Sequence, residues 1–271
     1  MTLVDGQRFG EVAEVYDDVR PGYPDGIGAA ISRYHRGPLT TVLEIGAGTG
    51  KGTAVLKPLG GRLTCLEPDP RMAAVLRNGH PDVEVIVSAL ETACSEKRFD
   101  GVACAMAWHW LDPRQRNQKA FAALRPGGTL ALFGHRYGYA DPGQRRAIDA
   151  AFAAVIGDGA PPQRTDTWNR DDVIASGLFG DVDTVSLGRQ LALEPARYLQ
   201  LVQTFGPFRA RDPEGQARLL EALERTVGTF GGPVVLDLPT TVTLARRPER
   251  AGRRPAGPAG GRSARGRTRR S

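Results

Sequence analysis

The sequence has few cysteines and no long apolar run, and both absences limit what the protein can be. Its three cysteines, Cys65, Cys94 and Cys104, are an odd number without metal-site spacing, and two of them fall in predicted buried strands. We therefore expect reduced core thiols in a cytoplasmic protein, with no disulfide framework and no metal. No segment reaches the apolar length of a membrane span, and the first twenty residues are too acidic for a secretory signal, so we expect no membrane partner.

Excess positive charge is also missing from most of the chain. The net charge is +6, but residues 251–271 hold seven of the 36 Lys and Arg residues and no acid. Residues 1–250 therefore carry 29 basic and 30 acidic side chains, a net charge of −1. Clustered arginines can bind nucleic acid or an anionic membrane, but no aromatic residue is interleaved for base stacking. We interpret 251–271 as a disordered Arg/Gly/Pro tail, and we expect nucleic acid not to be a partner.

The most informative stretch is Thr41 to Gly50, with the sequence TVLEIGAGTG, where a short apolar strand runs into a glycine-rich turn. Backbone N–H groups lie open in such a turn, and a ligand can approach the chain closely. The dinucleotide fingerprint would need a sixth-place glycine at Lys51, and a phosphate-binding P-loop would need glycine at Ile45 and Ser or Thr at Gly52. Neither phosphate motif fits.

A second landmark is the next predicted strand, residues 62–67, which ends in Glu67. An acid at this position can accept hydrogen bonds from both ribose hydroxyls of a nucleotide-like ligand. Asp69 and Pro70 then form a good helix start, as N-cap and first helical residue.

The alternation of strands and helices predicts a doubly wound α/β sheet. Strands are expected at about 41–45, 62–67, 83–87, 99–105 and 129–134, with a tight turn at Pro126-Gly127-Gly128. Ligands bind such sheets at the carboxyl ends of the strands. Further along, we expect a strand at 182–190 and a last strand from Val234 to Ala245, interrupted by Pro239. Apolar stripes at helical spacing predict three helices, and they comprise Ile148, Phe152, Val155 and Ile156; Tyr198, Leu201, Val202 and Phe205; and Leu219, Leu223 and Val227.

The E-x-G-x-G-x-G pattern from Glu44 to Gly50 resembles the class I S-adenosylmethionine-dependent methyltransferases. The resemblance covers roughly residues 8–247 and is carried by three more motifs. The segment from Phe9 to Pro24 is similar to the N-terminal segment of the type 11 and trans-aconitate-methyltransferase-like small-molecule groups. Ala105 to Asp112 looks like the loop after the fourth strand, and Leu124 to Gly128 looks like the turn before the fifth.

The resemblance implies a Rossmann-like sheet of seven strands, with a helical cap at about 191–231 inserted before the last strand. Residues 1–36 would close over the cofactor and residues 37–250 would form the methyltransferase domain. It implies S-adenosylmethionine as cofactor, and the residues expected to bind it are Tyr16, Arg20, Glu44, Gly46, Ala47, Gly48, Gly50, Glu67, Pro68, Ala89 and Ala105. Of these, Tyr16 and Arg20 would close over the methionine end, and the Ala89 N–H would contact adenine.

Methyl transfer from this cofactor is an in-line displacement, which mainly needs the acceptor held close and aligned. If the acceptor is a neutral hydroxyl or amine, a base is useful, and His109 is the candidate. Alternatively, His109 only orients its loop by a hydrogen bond. The other histidines, His35, His80 and His135, are expected at the surface or in loops.

The acceptor pocket is expected to be partly apolar, and its identity and the methylated element stay open. Trp108 and Trp110 could stack on a flat substrate or cradle the sulfonium, although one of them is expected only to pack. Tyr137, Phe205 and Phe208 are the other expected lining residues.

Three other functions are compatible with parts of the sequence. A nicotinamide oxidoreductase is opposed by Lys51 in the fingerprint. A cofactor-binding protein without transfer activity would keep the glycines and Glu67, and the aromatic loop at 107–110 argues mildly against it. A macromolecular methyltransferase aided by the tail would need a basic groove on the body, which has no excess positive charge. The oligomeric state is open.

Overall fold

A mixed sheet of seven strands forms the centre of the fold. The computed structural model describes residues 10–93, 97–156 and 165–249. Its strands in chain order are β1 (Thr41–Ile45), β2 (Arg62–Leu66), β3 (Glu84–Ile86), β4 (Phe99–Ala105), β5 (Leu124–His135), β6 (Gly138–Tyr139), β7 (Gly180–Leu187), β8 (Gln190–Leu193), β9 (Val234–Asp237) and β10 (Thr240–Arg246). The main sheet has the order β3-β2-β1-β4-β5-β10-β7, and β6, β9 and β8 form a second, small sheet.

The strand order places the predicted ligand-binding motifs at one edge of the main sheet. Strand β1 pairs in parallel with both β2 and β4, so the direction in which strands are added reverses between β1 and β4. Ligands bind at such a switch point, beyond the carboxyl ends of the strands. Strand β10 is antiparallel to both of its neighbours, β5 and β7, so the sheet is mixed.

Helices cover both faces of the sheet, as expected for a doubly wound fold. The α-helices are α1 (Ala13–Val19), α2 (Gly26–His35), α3 (Lys51–Leu56), α4 (Pro70–Gly79), α5 (Arg116–Ala123), α6 (Pro142–Ile156), α7 (Trp168–Ala175), α8 (Pro195–Gln203), α9 (Gly206–Arg209) and α10 (Pro213–Gly228). Within β1, Val42 packs in the core under α2 and α3, and Leu43 packs in the core under α5 and α7. Burial on both faces explains why the strands are almost continuously apolar.

The cap has its own hydrophobic core and is more than the helical insertion that the sequence predicted. Helices α8, α9 and α10 lie within the expected range of 191–231, and their predicted apolar stripes are buried at Tyr198, Leu201, Leu219 and Leu223. The structure adds the small sheet and helix α6, which packs against α10. The cap is therefore assembled from two separate chain segments.

Two expectations about the strands are corrected. The predicted last strand, 234–245, is two strands in different sheets. Pro239, which has no backbone N–H donor, lies between them, where no β-ladder hydrogen bond needs such a donor. The turn at Pro126-Gly127-Gly128 lies inside the longer strand β5, because Leu124 pairs with Phe99 while Thr129 pairs with Gly101. The residues between them bulge out of the ladder.

Cys65 and Cys104 are buried free thiols, as predicted. Among the described residues, no helix combines the length and the apolarity of a membrane span. Phe9, Cys94 and the tail at 251–271 lie outside the described residues, and so does the side chain of Ile156.

Candidate functional site

The glycine turn after β1 is held at both ends and open in the middle. Gly46, Gly48 and Gly50 have φ angles of 64°, 59° and 102°, which side-chain-bearing residues rarely adopt. A Cβ on Gly46 would lie 2.5 Å from the Cβ of Ala107, and one on Gly50 would lie 2.6 Å from the His80 ring. A Cβ on Gly48 would meet nothing within 4 Å. The turn therefore presents open space at Gly48, where a ligand can approach the backbone.

Glu44 is a buried carboxyl group directly beneath this turn. It is fully buried, and its Oε2 accepts a hydrogen bond of 2.6 Å from the Thr53 hydroxyl, while Oε1 has no partner among the described residues. Burial raises the pKa of Glu44 to about 7. Helix α3 reaches the carboxylate because Gly52 lacks a side chain, since a Cβ there would lie 2.3 Å from Oε1. Gly52 is a site residue that the sequence reasoning missed.

Glu67 lies directly after β2, next to the open part of the turn. Its Oε2 accepts a 2.7 Å hydrogen bond from the Gly48 N–H, and its Oε1 accepts one of 2.9 Å from the Asp69 N–H. Burial raises the pKa of Glu67, although both N–H groups oppose this by favouring the carboxylate. A buried carboxylate held by two backbone donors has a fixed position, and each of its oxygens keeps a lone pair for a ligand hydroxyl.

The helix start predicted after Glu67 is confirmed and also contacts the N-terminal segment. The Asp69 side chain accepts a hydrogen bond of 2.9 Å from the Arg71 N–H, and Pro70 is the first residue of α4. Gly10 packs against this cap, where a Cβ would lie 2.1 Å from the Asp69 carboxylate. The N-terminal segment therefore lies beside the acidic turn.

Arg20 brings three other predicted site residues together around its guanidinium group and also contacts the cap. The group lies 4.9 Å from the ring centres of Tyr16 and Phe205 and 5.6 Å from that of Tyr137. Its Nε donates to the Thr204 hydroxyl at 2.9 Å, and its Nη2 donates to the Thr204 carbonyl at 2.8 Å. Two predicted cofactor ligands, Tyr16 and Arg20, therefore meet two predicted acceptor-pocket residues, Tyr137 and Phe205.

His135 belongs to the same cluster, which corrects the expectation of a surface or loop position. It is 6% exposed, its Nε2 has no partner among the described residues, and its ring lies about 5 Å from those of Tyr23 and Tyr137. Burial lowers the pKa of His135 to about 4, and the positive charges of Arg20 and Arg189 act in the same direction. The imidazole is therefore neutral at physiological pH. Its place at the end of β5 was the sequence signal that could have identified it.

Trp108 is a core residue, which corrects its expected role as a substrate contact. It is 2% exposed, and its indole N–H donates to Asp172 Oδ2 at 2.8 Å. The same carboxylate forms an ion pair with Arg116 and accepts a hydrogen bond from Asn117. With its ring enclosed, Trp108 has no face for a substrate and instead fixes the loop after β4 to α7.

Ala107 of the same loop packs against Gly46 of the glycine turn. His109 and Trp110 are half-buried, with ring centres 4.6 Å apart, and their roles as base and substrate contact stay predictions. Met106 has a φ of 52°, and its N–H donates to the Phe133 carbonyl at 2.9 Å. A non-glycine residue in this conformation is strained, as is often seen at functional sites. Ala105, which ends β4, is half-buried beside it.

Three other predicted cofactor ligands also lie along the carboxyl edge of the sheet. Ala47 is buried, and its N–H donates to the carbonyl of Leu66, so the turn is tied to β2. Pro68 is half-buried and follows Glu67. Ala89 is half-buried after β3, and its carbonyl accepts hydrogen bonds from the N–H groups of Thr92 and Ala93. The proposed contact of the Ala89 N–H with adenine stays a prediction.

Residues 10–24, which we call the N-terminal strap, connect the glycine turn with the cap. Asp17 pairs with Lys51, the first residue of α3, at 3.1 Å. On the other side, Asp18 pairs with Arg197 of α8, and Glu11 pairs with Arg209 of α9. The strap, which includes Arg20, thus lies between the glycine turn and the cap.

Comparisons with known proteins agree with this geometry. Residues 43–132 match a family model described as a methyltransferase domain, of type 11. An uncharacterized methyltransferase of Mycobacterium tuberculosis is 37% identical over 125 residues, which are 46% of this chain and 50% of the relative. The chain spans about half the length of the curated relatives it matches.

Solved structures share the fold at low sequence identity. A protein from Anaeromyxobacter dehalogenans described as a type II methyltransferase has a TM-score of 0.65 and 20% identity, over 85% of this chain and 99% of its own. Phosphoethanolamine N-methyltransferase 2 of Haemonchus contortus, in complex with phosphomonomethylethanolamine and S-adenosylhomocysteine, has a TM-score of 0.51 and 13% identity, over 89% of this chain and 58% of its own. Residues 43–132 therefore match a methyltransferase domain, and the sheet has the α/β Rossmann-like fold seen in solved methyltransferase structures.

Proposed function

We propose that the protein uses S-adenosylmethionine to methylate a small-molecule acceptor. The observation that carries the proposal is the position of Glu67, whose buried carboxylate lies at hydrogen-bond distance from Gly48 in the open part of the glycine turn. A fixed carboxylate beside an open glycine turn fits a ligand with a ribose, because the missing side chains let the ligand approach the backbone closely.

The residues around the turn fit this cofactor. Glu67 would hold the ribose hydroxyls, and the turn would approach the amino-acid part. Glu44 offers a buried oxygen without a partner beneath the turn, and Arg20 offers a cation that has no carboxylate partner in the described ranges. When bound, the cofactor supplies a methyl group on a sulfonium that is its own leaving group.

The contribution of the protein would then be to position the acceptor and exclude water. The cluster of Tyr16, Arg20, Tyr137, Phe205 and His135 lies where the strap meets the cap, and its rings would contact the acceptor. A small acceptor is favoured over nucleic acid because residues 1–250 carry no excess positive charge. A proton can be taken by His109, which we keep as the candidate base because the buried His135 has a pKa of only about 4.

Titration with S-adenosylhomocysteine by calorimetry tests the cofactor site without any knowledge of the acceptor. We expect micromolar binding by the wild type and a loss of at least tenfold in Glu67→Gln, about 1.4 kcal/mol. The matched control is Glu84→Gln, because Glu84 lies on the adjacent strand β3 and, among the described residues, its side chain bonds to Thr64 and Lys97. Absence of binding by the wild type would refute the proposal.

A second experiment separates an enzyme from a binding protein. A panel of small acids, amines and phenols is incubated with S-adenosylmethionine, and formation of S-adenosylhomocysteine is measured. Turnover that falls at least tenfold in His109→Gln, with cofactor affinity unchanged, would support the base. Cofactor binding without turnover would favour the cofactor-binding protein.

A further inference from the structure

Arg20 joins the proposed cofactor site to the end of cap helix α8. Its partner there is the buried residue Thr204. Thr204 follows the last residue of α8 and is fully buried. Its hydroxyl donates to the Leu201 carbonyl at 2.6 Å, so a lone pair of Oγ1 is turned toward Arg20. Arg20 donates to both the hydroxyl and the carbonyl of Thr204, and this pair of bonds fixes the plane of the guanidinium group.

The contacts of Arg20 leave part of its donor capacity unused. A guanidinium group has five N–H donors, and Thr204 and Tyr137 engage one N–H on each of the three nitrogens. No carboxylate pairs with it within residues 10–93, 97–156 and 165–249. A half-buried cation surrounded by aromatic rings therefore keeps two N–H groups for an anion, and planar, bidentate recognition of a carboxylate is the contact that arginine makes best.

We infer that Arg20 couples occupation of the cofactor site to assembly of the acceptor pocket, with Thr204 as the positioning residue. This inference rests on the proposed function, in which the carboxylate of the cofactor takes the free N–H groups of Arg20. The two free N–H groups would then bind the cofactor carboxylate. The other N–H groups hold the end of α8 and Tyr137, and the Phe205 ring packs on the guanidinium group.

The physical basis of the coupling is that one side chain serves both partners. Holding a long arginine side chain in one conformation costs rotamer entropy, and a cofactor carboxylate that fixes it removes that cost for the contacts with the cap. The reverse also holds, because an Arg20 already fixed by Thr204 meets the carboxylate in a prepared orientation. A cofactor that lacks the carboxylate should bind without ordering the cap.

Two ligands of the wild-type protein test the coupling. S-adenosylhomocysteine carries the carboxylate, and 5′-methylthioadenosine shares its adenosine and sulfur but lacks the amino-acid group. Hydrogen–deuterium exchange of residues 195–209, which cover α8 and α9, is measured with each ligand at saturation. We expect exchange to slow at least threefold with S-adenosylhomocysteine and to remain unchanged with 5′-methylthioadenosine. Equal protection by both ligands would overturn the inference.

Variants identify the residue that transmits the effect. Thr204→Val keeps the shape of the side chain but removes the hydroxyl that accepts from Arg20, so affinity for S-adenosylhomocysteine should fall at least threefold and protection of 195–209 should be lost. The matched control is Thr226→Val, because the Thr226 hydroxyl bonds to the Ala222 carbonyl within α10 and does not contact Arg20. Arg20→Lys, which keeps the charge but loses the planar fork, should lose protection in the same way.

The outcomes separate this inference from the proposed function. Binding of S-adenosylhomocysteine by the wild type, with protection retained in both Thr204→Val and Arg20→Lys, would overturn the coupling and leave the proposed function intact. No binding of either ligand by the wild type would refute the proposed function, and the coupling would fall with it.

Discussion

The three glycines of the turn after β1 have different neighbours, so the same substitution should have different consequences at each. At Gly48 an added methyl group points into open space, and the main stability cost is the left-handed backbone. At Gly50 the methyl group collides with the His80 ring and the Leu76 side chain at 2.6 and 2.8 Å. Gly48 faces the open space that we propose as the ligand site, and Gly50 faces the packed interior of the protein.

We predict that Gly48→Ala impairs cofactor binding much more than it impairs stability. Stability should fall by about 1 to 2 kcal/mol, the cost of the left-handed conformation, while binding of S-adenosylhomocysteine should fall at least tenfold. Gly50→Ala should lower stability by about 2 to 5 kcal/mol, because overpacking adds to the backbone strain. Urea denaturation and calorimetry measure both quantities. A Gly48→Ala variant with wild-type affinity would show that the open space is not the ligand site.

The buried carboxyl group of Glu44 predicts a pH dependence of stability. The pKa is raised from 4.5 to about 7 by burial, so the folded state binds the proton more tightly than the unfolded state. Its contribution to stability is therefore fully present below pH 4.5 and is lost as the pH rises to about 7.

Glu44→Gln should remove this dependence. Relative to the wild type, the variant should gain up to about 3 kcal/mol of stability on going from pH 5 to pH 8, since each pKa unit corresponds to about 1.4 kcal/mol. The measurement is the free energy of unfolding in urea at both pH values. A constant difference between the two proteins would contradict the predicted burial of the charge.

Helix α7 supports the candidate site, although its residues are distant in sequence from the glycine turn. Asp172 of α7 accepts hydrogen bonds from Trp108 and Asn117 and pairs with Arg116, and Arg116 in turn donates to the Trp108 carbonyl. These bonds fix the loop after β4, whose Ala107 packs on Gly46 of the glycine turn. Helix α7 therefore supports the candidate site indirectly, through the loop after β4.

We predict that Asp172→Ala destabilises the protein by about 3 to 5 kcal/mol, because it leaves the buried Arg116 charge without its partner. The control is Asp171→Ala, since the Asp171 side chain is 59% exposed and its pair with Arg170 is 3.8 Å long. Exposed pairs of this kind contribute about 0 to 1 kcal/mol. Thermal and urea denaturation compare the two variants. Equal losses of stability would show that the Asp172 network contributes no more than an exposed ion pair.

The sequence predicted individual elements well wherever local signals were complete. The strand bounds at 41–45 and 99–105 are confirmed, and so is the helix that carries Leu219, Leu223 and Val227. It failed at 234–245, because a run of apolar residues does not reveal that its two halves join different sheets. Pairing partners are non-local, and a strand sequence alone does not specify them.

Across the whole molecule, the excess of positive over negative charge lies in residues 251–271. The 250 residues before the tail carry a net charge of −1, and the tail carries seven arginines. Nucleic acid is not an expected partner, so any residual binding of single-stranded RNA should come from the tail; removing residues 251–271 should abolish it, because arginine clusters bind phosphates by counterion release. Affinity for S-adenosylhomocysteine should not change. Fluorescence anisotropy at several salt concentrations tests the first point, and RNA affinity retained by the shortened chain would show a binding surface on the body.

The sequence by itself determined the parts of the site that lie on one continuous segment. The glycine turn, Glu67 and the helix start at Asp69 were predictable because a strand, a turn and a cap depend on neighbouring residues. The structure has positive φ angles at all three glycines of the turn, and Glu67 lies directly after β2, next to Gly48.

Only the tertiary structure decided which side chains meet from distant segments. The sequence predicted Trp108 as a substrate contact and placed His135 at the surface or in a loop. In the structure Trp108 is enclosed by α7, while His135 faces the aromatic cluster. Arg20 and Thr204 are 184 residues apart, and no local pattern links them. Burial and pairing at such positions depend on how the cap and the sheet pack together, and that packing is a property of the whole chain.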